Sequence, residues 1–133
     1  MEITSYDVKK VNVSVNGSII TGFAADSLIT ISKNEDAVTT EVGCQGDVVY
    51  SENANESGTV QLTLAGTSSS VSKFRSLAAS RKEVSLMVSD SNDSDSIKVS
   101  AQRCRVVKMP DVTRGKTAGS VQVSIFVPNL QIR

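Results

Sequence analysis

The chain has 133 residues, enough for one domain built around one core. Hydrophobic residues make up 39% but aromatics only 4%, with no tryptophan, so the core must come from valine, isoleucine and leucine, which favours strands. Fourteen basic side chains balance fourteen acidic ones and histidine is absent, which argues against a protein that grips nucleic acid and removes the commonest general base and metal ligand.

The opening residues MEITSYDVKK contain no apolar h-region, so no signal peptide is expected. No apolar run approaches the roughly 20 residues of a membrane span. A product made in the cytoplasm is expected, and two cysteines, Cys44 and Cys104, are then most simply reduced thiols. Asn-x-Ser triplets begin at Asn12, Asn16, Asn55 and Asn92, but without a secretory signal they carry no weight.

Period-2 alternation dominates the chain. Val11, Val13 and Val15 alternate with Asn12 and Ser14, and Asn16-Gly17 then predicts a tight hairpin into a second strand at 18–23. A third strand is predicted at 28–33. Residues 34–58 form a long polar connection around Gly43 and Gly46, with an alternation of its own at Val42, Cys44, Val48 and Tyr50. Connections this long are uncommon in compact domains. This one reads as an extended arm that something else must cover.

The strand Gly58–Ala65 follows, with Val60, Leu62 and Leu64 set against Thr59, Gln61 and Thr63. A helix is predicted at 68–80: Ser68, Ser69 and Ser70 offer capping oxygens, and Val71, Phe74, Leu77 and Ala78 recur at helical spacing. Arg81 and Lys82 suit its C-terminal end. Strands resume at Val84, Leu86 and Val88, then at 97–109, and finally at 121–127. The predicted fold is mainly β, an antiparallel β-sandwich or barrel with one α-helix, in a single domain spanning 1–133.

No motif carries enzymatic chemistry. The acidic loop 90–95 fails the calcium-loop pattern in both registers, with Asp95 or Ala101 and Cys104 at the positions that need glycine or a carboxylate. Gly115-Lys116-Thr117 resembles the end of a phosphate loop, but Pro110 stands where the first glycine is needed. Two cysteines without histidine do not make a zinc site. Ser72-Lys73 and Ser80-Arg81-Lys82 are adjacent residues that do not face one another on a helix. Neither a metal nor a cofactor is expected.

The order of features carries a resemblance. Tyr6-Asp7-Val8-Lys9-Lys10-Val11, Gly22-Phe23-Ala24, Lys33-Asn34-Glu35-Asp36, the glycine-containing arm, Ala54-Asn55 and Ser57-Gly58-Thr59 before an alternating strand resemble the tail tube proteins of contractile-tailed bacteriophages. The match continues through the helix and the closing strand. The resemblance implies stacked hexameric rings whose sheets join into one continuous barrel around a channel. It implies a contractile sheath outside, baseplate and tail terminator proteins at the ends, and tape-measure protein and DNA transiently inside. The implied location is the virion. Within that picture the arm and the N-terminal residues reach neighbouring copies, with Glu35, Asp36, Cys44, Asp47, Tyr50, Asn53 and Asn55 as expected contacts. The polar faces Thr59, Gln61, Thr63 and Ser120, Gln122, Ser124 are expected to line the lumen, because they are hydrophilic but uncharged, with charge concentrated in turns and the arm. Such a wall gives DNA phosphates nothing to hold. Two other readings stay open: the tube of a DNA-free machine, such as a phage-tail-like bacteriocin or type VI secretion, and a monomeric β-sandwich binding module of a virion.

Overall fold

Alternating valines shape the first strand. In β1 (Val11–Val15), Val13 and Val15 are buried while Asn12 is exposed. Asn16 and Gly17 take φ of 52° and 82°, and the chain returns as β2 (Ser18–Ile19) with Val15 opposite Ser18, the tight turn that Asn-Gly predicts. The structure, a computed structural model, describes residues 1, 3, 5–24, 29–92, 97–117 and 119–132.

The second strand is shorter than its predicted span. Gly22, at φ 78°, turns the chain away from β1, and Phe23 bridges Leu64 instead. A Cβ on Gly22 would strike the Ser68 side chain, so both φ and close approach require glycine here. Next come β3 (Ile29–Lys33), β4 (Val38–Val42), β5 (Val48–Glu52) and β6 (Gly58–Ala65). Leu28, where the third strand is predicted to start, lies outside the described residues. The helix α1 (Ser70–Ser80) precedes β7 (Val84–Asp90), β8 (Ile97–Val106) and β9 (Ser120–Val127).

Seven strands join in the order β2-β1-β7-β8-β9-β6-β3, each pair antiparallel, and among the described residues β4 pairs only with β5. The long strand β8 serves both halves. Its first part pairs with β7, and Arg105 and Val106 pair with β9. Between the two parts lies a bulge opposite Val84 and Leu86, where Arg103 adopts φ of 61°. An extra residue bends its strand, and the bend lets the two halves share one core. Val13, Val15, Leu86, Val88 and Val99 meet Val60, Leu62, Leu64, Val123 and Ile125 there. The architecture is sandwich-like and is not a closed barrel: β2 and β3 remain open edges.

The helix lays Val71 and Phe74 into this core, with Leu77 and Ala78 partly buried against it, as their spacing predicts. Its serines act differently from simple caps. Ser69 at the N-cap makes no side-chain bond. Ser68 Oγ accepts from Ser70 N–H at 3.2 Å and donates to the Thr21 carbonyl at 2.7 Å, while Ser70 Oγ accepts from Thr21 N–H. They tie the helix start to the turn around Gly22. The strand predicted at 97–109 stops at Val106, leaving Val107 and Met109 exposed before the buried Pro110.

Candidate assembly surfaces

The arm is a freestanding β-hairpin. Val38 to Val42 pair with Glu52 to Val48, and every residue from 38 to 52 is exposed. Paired residues share a face, so Val38, Thr40 and Val42 lie beside Glu52, Tyr50 and Val48. Val42 and Tyr50 are 70% and 69% exposed. An isolated two-stranded hairpin is marginally stable in water, so an apolar face left this open calls for a covering partner. Its turn is closed by Gly43 N–H donating to the Asp47 carbonyl at 2.7 Å, with Gly46 at φ 90°.

The hairpin's root is built from the residues that carry the family resemblance. Asn34 donates to Ser57 Oγ at 3.1 Å and accepts from the Thr59 hydroxyl at 2.8 Å. Asn55 bonds the Glu35 carboxylate and accepts from Ser57 N–H and Oγ. Asn53 Nδ2 donates to the Asp36 carbonyl at 3.0 Å. Lys33 Nζ donates to the carbonyls of Glu56 and Leu130. Of the expected contact residues, Glu35, Asn53 and Asn55 therefore hold the root within the chain. Cys44, Asp47 and Tyr50 are exposed on the hairpin, and Asp36 is exposed at its base.

The six expected wall residues do come together. β6 and β9 are in register, with Thr59 opposite Phe126, Gln61 opposite Ser124, Thr63 opposite Gln122, and Ala65 opposite Ser120. All point away from the core; Gln61, Ser120 and Gln122 are exposed and the others half-buried. Thr30 and Ser32 of β3 lie beside Gln61 and Thr59 and widen the same face. The expectation that charge avoids the strands is corrected at β8, where Lys98, Arg103 and Arg105 are all exposed.

Beside Phe126 the polar face gives way to an open groove of about 830 Å³. Arg81, Arg103 and Arg105 line it together with Val107, Met109 and Phe126. Arg103 Nε lies 3.0 Å from Glu83, and this pairing lowers the Glu83 pKa and raises that of Arg103. Sequence reading missed this groove. Its signal was the Arg103/Arg105 alternation on one strand, masked because the bulge at Arg103 and the αL turn at Arg81 are tertiary features.

The N-terminal segment is anchored by Asn92, which is 2% exposed. Its amide accepts from Asp7 N–H at 2.8 Å and donates to the Asp7 carbonyl and the Asp90 carboxylate. Asp93 and Asp95 of the acidic loop lie outside the described residues, and no metal-ligand cluster occurs among those described. Gly115, Lys116 and Thr117 sit in an exposed irregular segment. Cys104 is buried beneath the sheet and burial pushes its thiol pKa up. No helix among the described residues is long and apolar enough to cross a membrane.

Open edges, an uncovered hairpin and a helix-capped sandwich define a fold shared with proteins of contractile injection machines. The anti-feeding prophage cap, a tube-terminating cap, superimposes with a TM-score of 0.64 at 8% identity, covering 100% of this chain and 93% of that one. The sheath/tube terminator of the extracellular contractile injection system PVC, in its extended state, gives 0.61 at 10% identity, over 97% and 96%. The PVC sheath–tube complex gives 0.59 at 12% identity, over 97% and 91%. No curated protein matches the sequence. Residues 4–133 match the family described as bacteriophage PhiTE tail tube protein, and the chain belongs to that family. It is thus a tail tube protein by family, a component of a phage-like particle.

Proposed function

We propose that this chain is a structural, non-catalytic subunit whose copies form hexameric rings stacked into a tail tube, the conduit for DNA within a contractile sheath. The carrying observation is the β4–β5 hairpin, whose Val42, Val48 and Tyr50 stay at least half exposed among the described residues. A second copy supplies their cover. The open edges β2 and β3 serve lateral joining, which closes the barrel around the ring and removes the edges. Terminator and baseplate proteins cap the ends, and the tape-measure protein fills the lumen before DNA. The hairpin residues Asp36, Cys44, Asp47 and Tyr50 make the contacts, and Glu35, Asn53 and Asn55 set the hairpin's angle. The shared face of β6 and β9 lines the lumen.

Negative-stain microscopy tests this reading. Purified protein, seeded with a baseplate or terminator nucleus, is expected to form rings or tubes. Strict monomers under all these conditions would favour a monomeric sandwich module instead. The tube of a DNA-free injection machine is the second reading, favoured by the fold shared with injection-system proteins. Nuclease-protected DNA in purified particles separates the two.

A further inference from the structure

We propose that the β4–β5 hairpin of one copy docks in the arginine groove of a neighbouring copy. This deepens the tube reading and rests on it. Charge gives the first argument. Residues 34–58 carry Glu35, Asp36, Glu41, Asp47, Glu52 and Glu56 and not one lysine or arginine, although the whole chain is neutral. The groove gathers Arg81, Arg103 and Arg105 on one surface around a single carboxylate, Glu83, which pairs with Arg103 and also feels the charge of Arg105, so cations outnumber acids there. Opposite charge across an interface steers encounter and fixes register.

Apolar surface gives the second. The hairpin face offers Val42, Val48 and Tyr50; the groove offers Val107, Met109 and Phe126, with Val107 67% exposed. Phe126 is the one large apolar side chain on a β6–β9 face otherwise made of Thr, Ser, Gln and Ala65. Water is a poor neighbour for that ring, and a docked tyrosine or valine is a better one. Each side thus presents carboxylate or guanidinium around an apolar centre, the usual anatomy of an interface.

Backbone strain gives the third. Three described residues other than glycine have positive φ: Asn16, Arg81 and Arg103. Asn16 belongs to a hairpin turn that suits asparagine. The other two are arginines lining the groove. Strained conformations held by bulky residues gather where a site requires the side chain.

The test uses the native Cys44 at the hairpin turn. A Val107→Cys variant is assembled and oxidised, then run on a non-reducing gel. Docking in trans gives a ladder of cross-linked multimers, in tubes of normal appearance. Arg105→Glu should raise the protein concentration needed for assembly at least about tenfold, with unchanged melting temperature, and Glu52→Arg in the same chain should restore it. A fast-migrating cross-linked monomer would mean that the hairpin folds onto its own groove, and would overturn the proposal. So would tubes that form normally with Arg105→Glu and yield no ladder; the tube reading would then stand without this contact. A wild-type chain that never assembles overturns both.

Discussion

At residue scale, the least forgiving position is Gly58, where the arm meets β6. A Cβ there would strike Leu130 and come within 2.8 Å of the Ser32 carbonyl oxygen. Gly58→Ala should cost about 1–3 kcal/mol by forcing that contact apart, read as a lower urea midpoint at unchanged slope. Wild-type stability in the variant would show that Leu130 yields freely. The two cysteines should also separate cleanly. An alkylating reagent should modify the exposed Cys44 in the folded protein and spare Cys104 until it unfolds. Burial raises the Cys104 pKa from its ordinary 9.0, so folding favours the protonated thiol. That contribution is complete below the ordinary value and is lost as pH rises through and beyond it. Denaturation midpoints of wild type and Cys104→Ala, followed from neutral to alkaline pH, should therefore fall more steeply in wild type. Parallel curves would remove the thiol from the account. Asn92 was visible in the sequence only as part of a polar, acidic loop, and the Ser68 to Ser70 run only as candidate helix caps. Their partners, Asp7 and Thr21, lie far away in the chain, so their roles as tethers could not be read from local pattern.

At the scale of elements, alternation located most of the strands because one face of each is buried and a register slip would expose it. β6 was legible to the residue and β9 to within one residue at its start for that reason. Two other strands were misjudged at their ends. β2 ends at Ile19, shortly before Gly22 turns the chain away, and β8 ends at Val106, just past the start of β7 and while β9 still continues to Ser120, neither of which hydrophobic period encodes. The arm was legible as an object needing cover, since Val42, Cys44, Val48 and Tyr50 stand at alternate positions in an otherwise polar connection. Its separation from the main sheet needed the structure. The hairpin and its root now call for different variants. Replacing 39–51 with a short turn leaves Asn53, Asn55 and Ser57 to hold the root. The shortened chain should keep its melting temperature within a few degrees and lose tube formation in the electron microscope. Tubes of normal ring spacing from this variant would show that the hairpin is not the connector. Arg81→Gly probes the helix end in the same spirit. Glycine relieves an αL residue that L side chains adopt at a cost of about 1 kcal/mol, so the variant should be more stable. If the Arg81 side chain contributes to docking, the same variant should assemble less readily despite its greater stability.

At the scale of the whole molecule, the proposed role as a DNA conduit bears most directly on the distribution of polar side chains. One face of β6 and β9 enters the core, and the other carries Thr59, Gln61, Thr63, Ser120, Gln122 and Ser124. In the proposed tube, covered by a sheath, much of the available water lies inside, so the proposal assigns this hydrated, uncharged face to the lumen. Arg105 borders this face at β8. On the arm-docking proposal its charge is spent on a neighbour's hairpin, which leaves the wall itself without cations to hold phosphates. Gln61→Lys and Gln122→Lys restore that hold. Both positions are exposed beside Ser124 and Thr63, so a charge there stays hydrated and should leave folding and ring assembly intact. Repeated around each ring and along the stack, however, the added lysine becomes a ladder of phosphate contacts. Each contact releases counterions and gains strength as salt falls. Ejection of DNA from particles carrying either variant should slow in low salt and recover as salt rises, because screening weakens the attraction over a Debye length of about 10 Å at 0.1 M. Fluorescent-dye kinetics of single particles across a salt series reads this directly. Equal ejection rates for both variants and wild type at every salt concentration would place the β6–β9 face away from the channel.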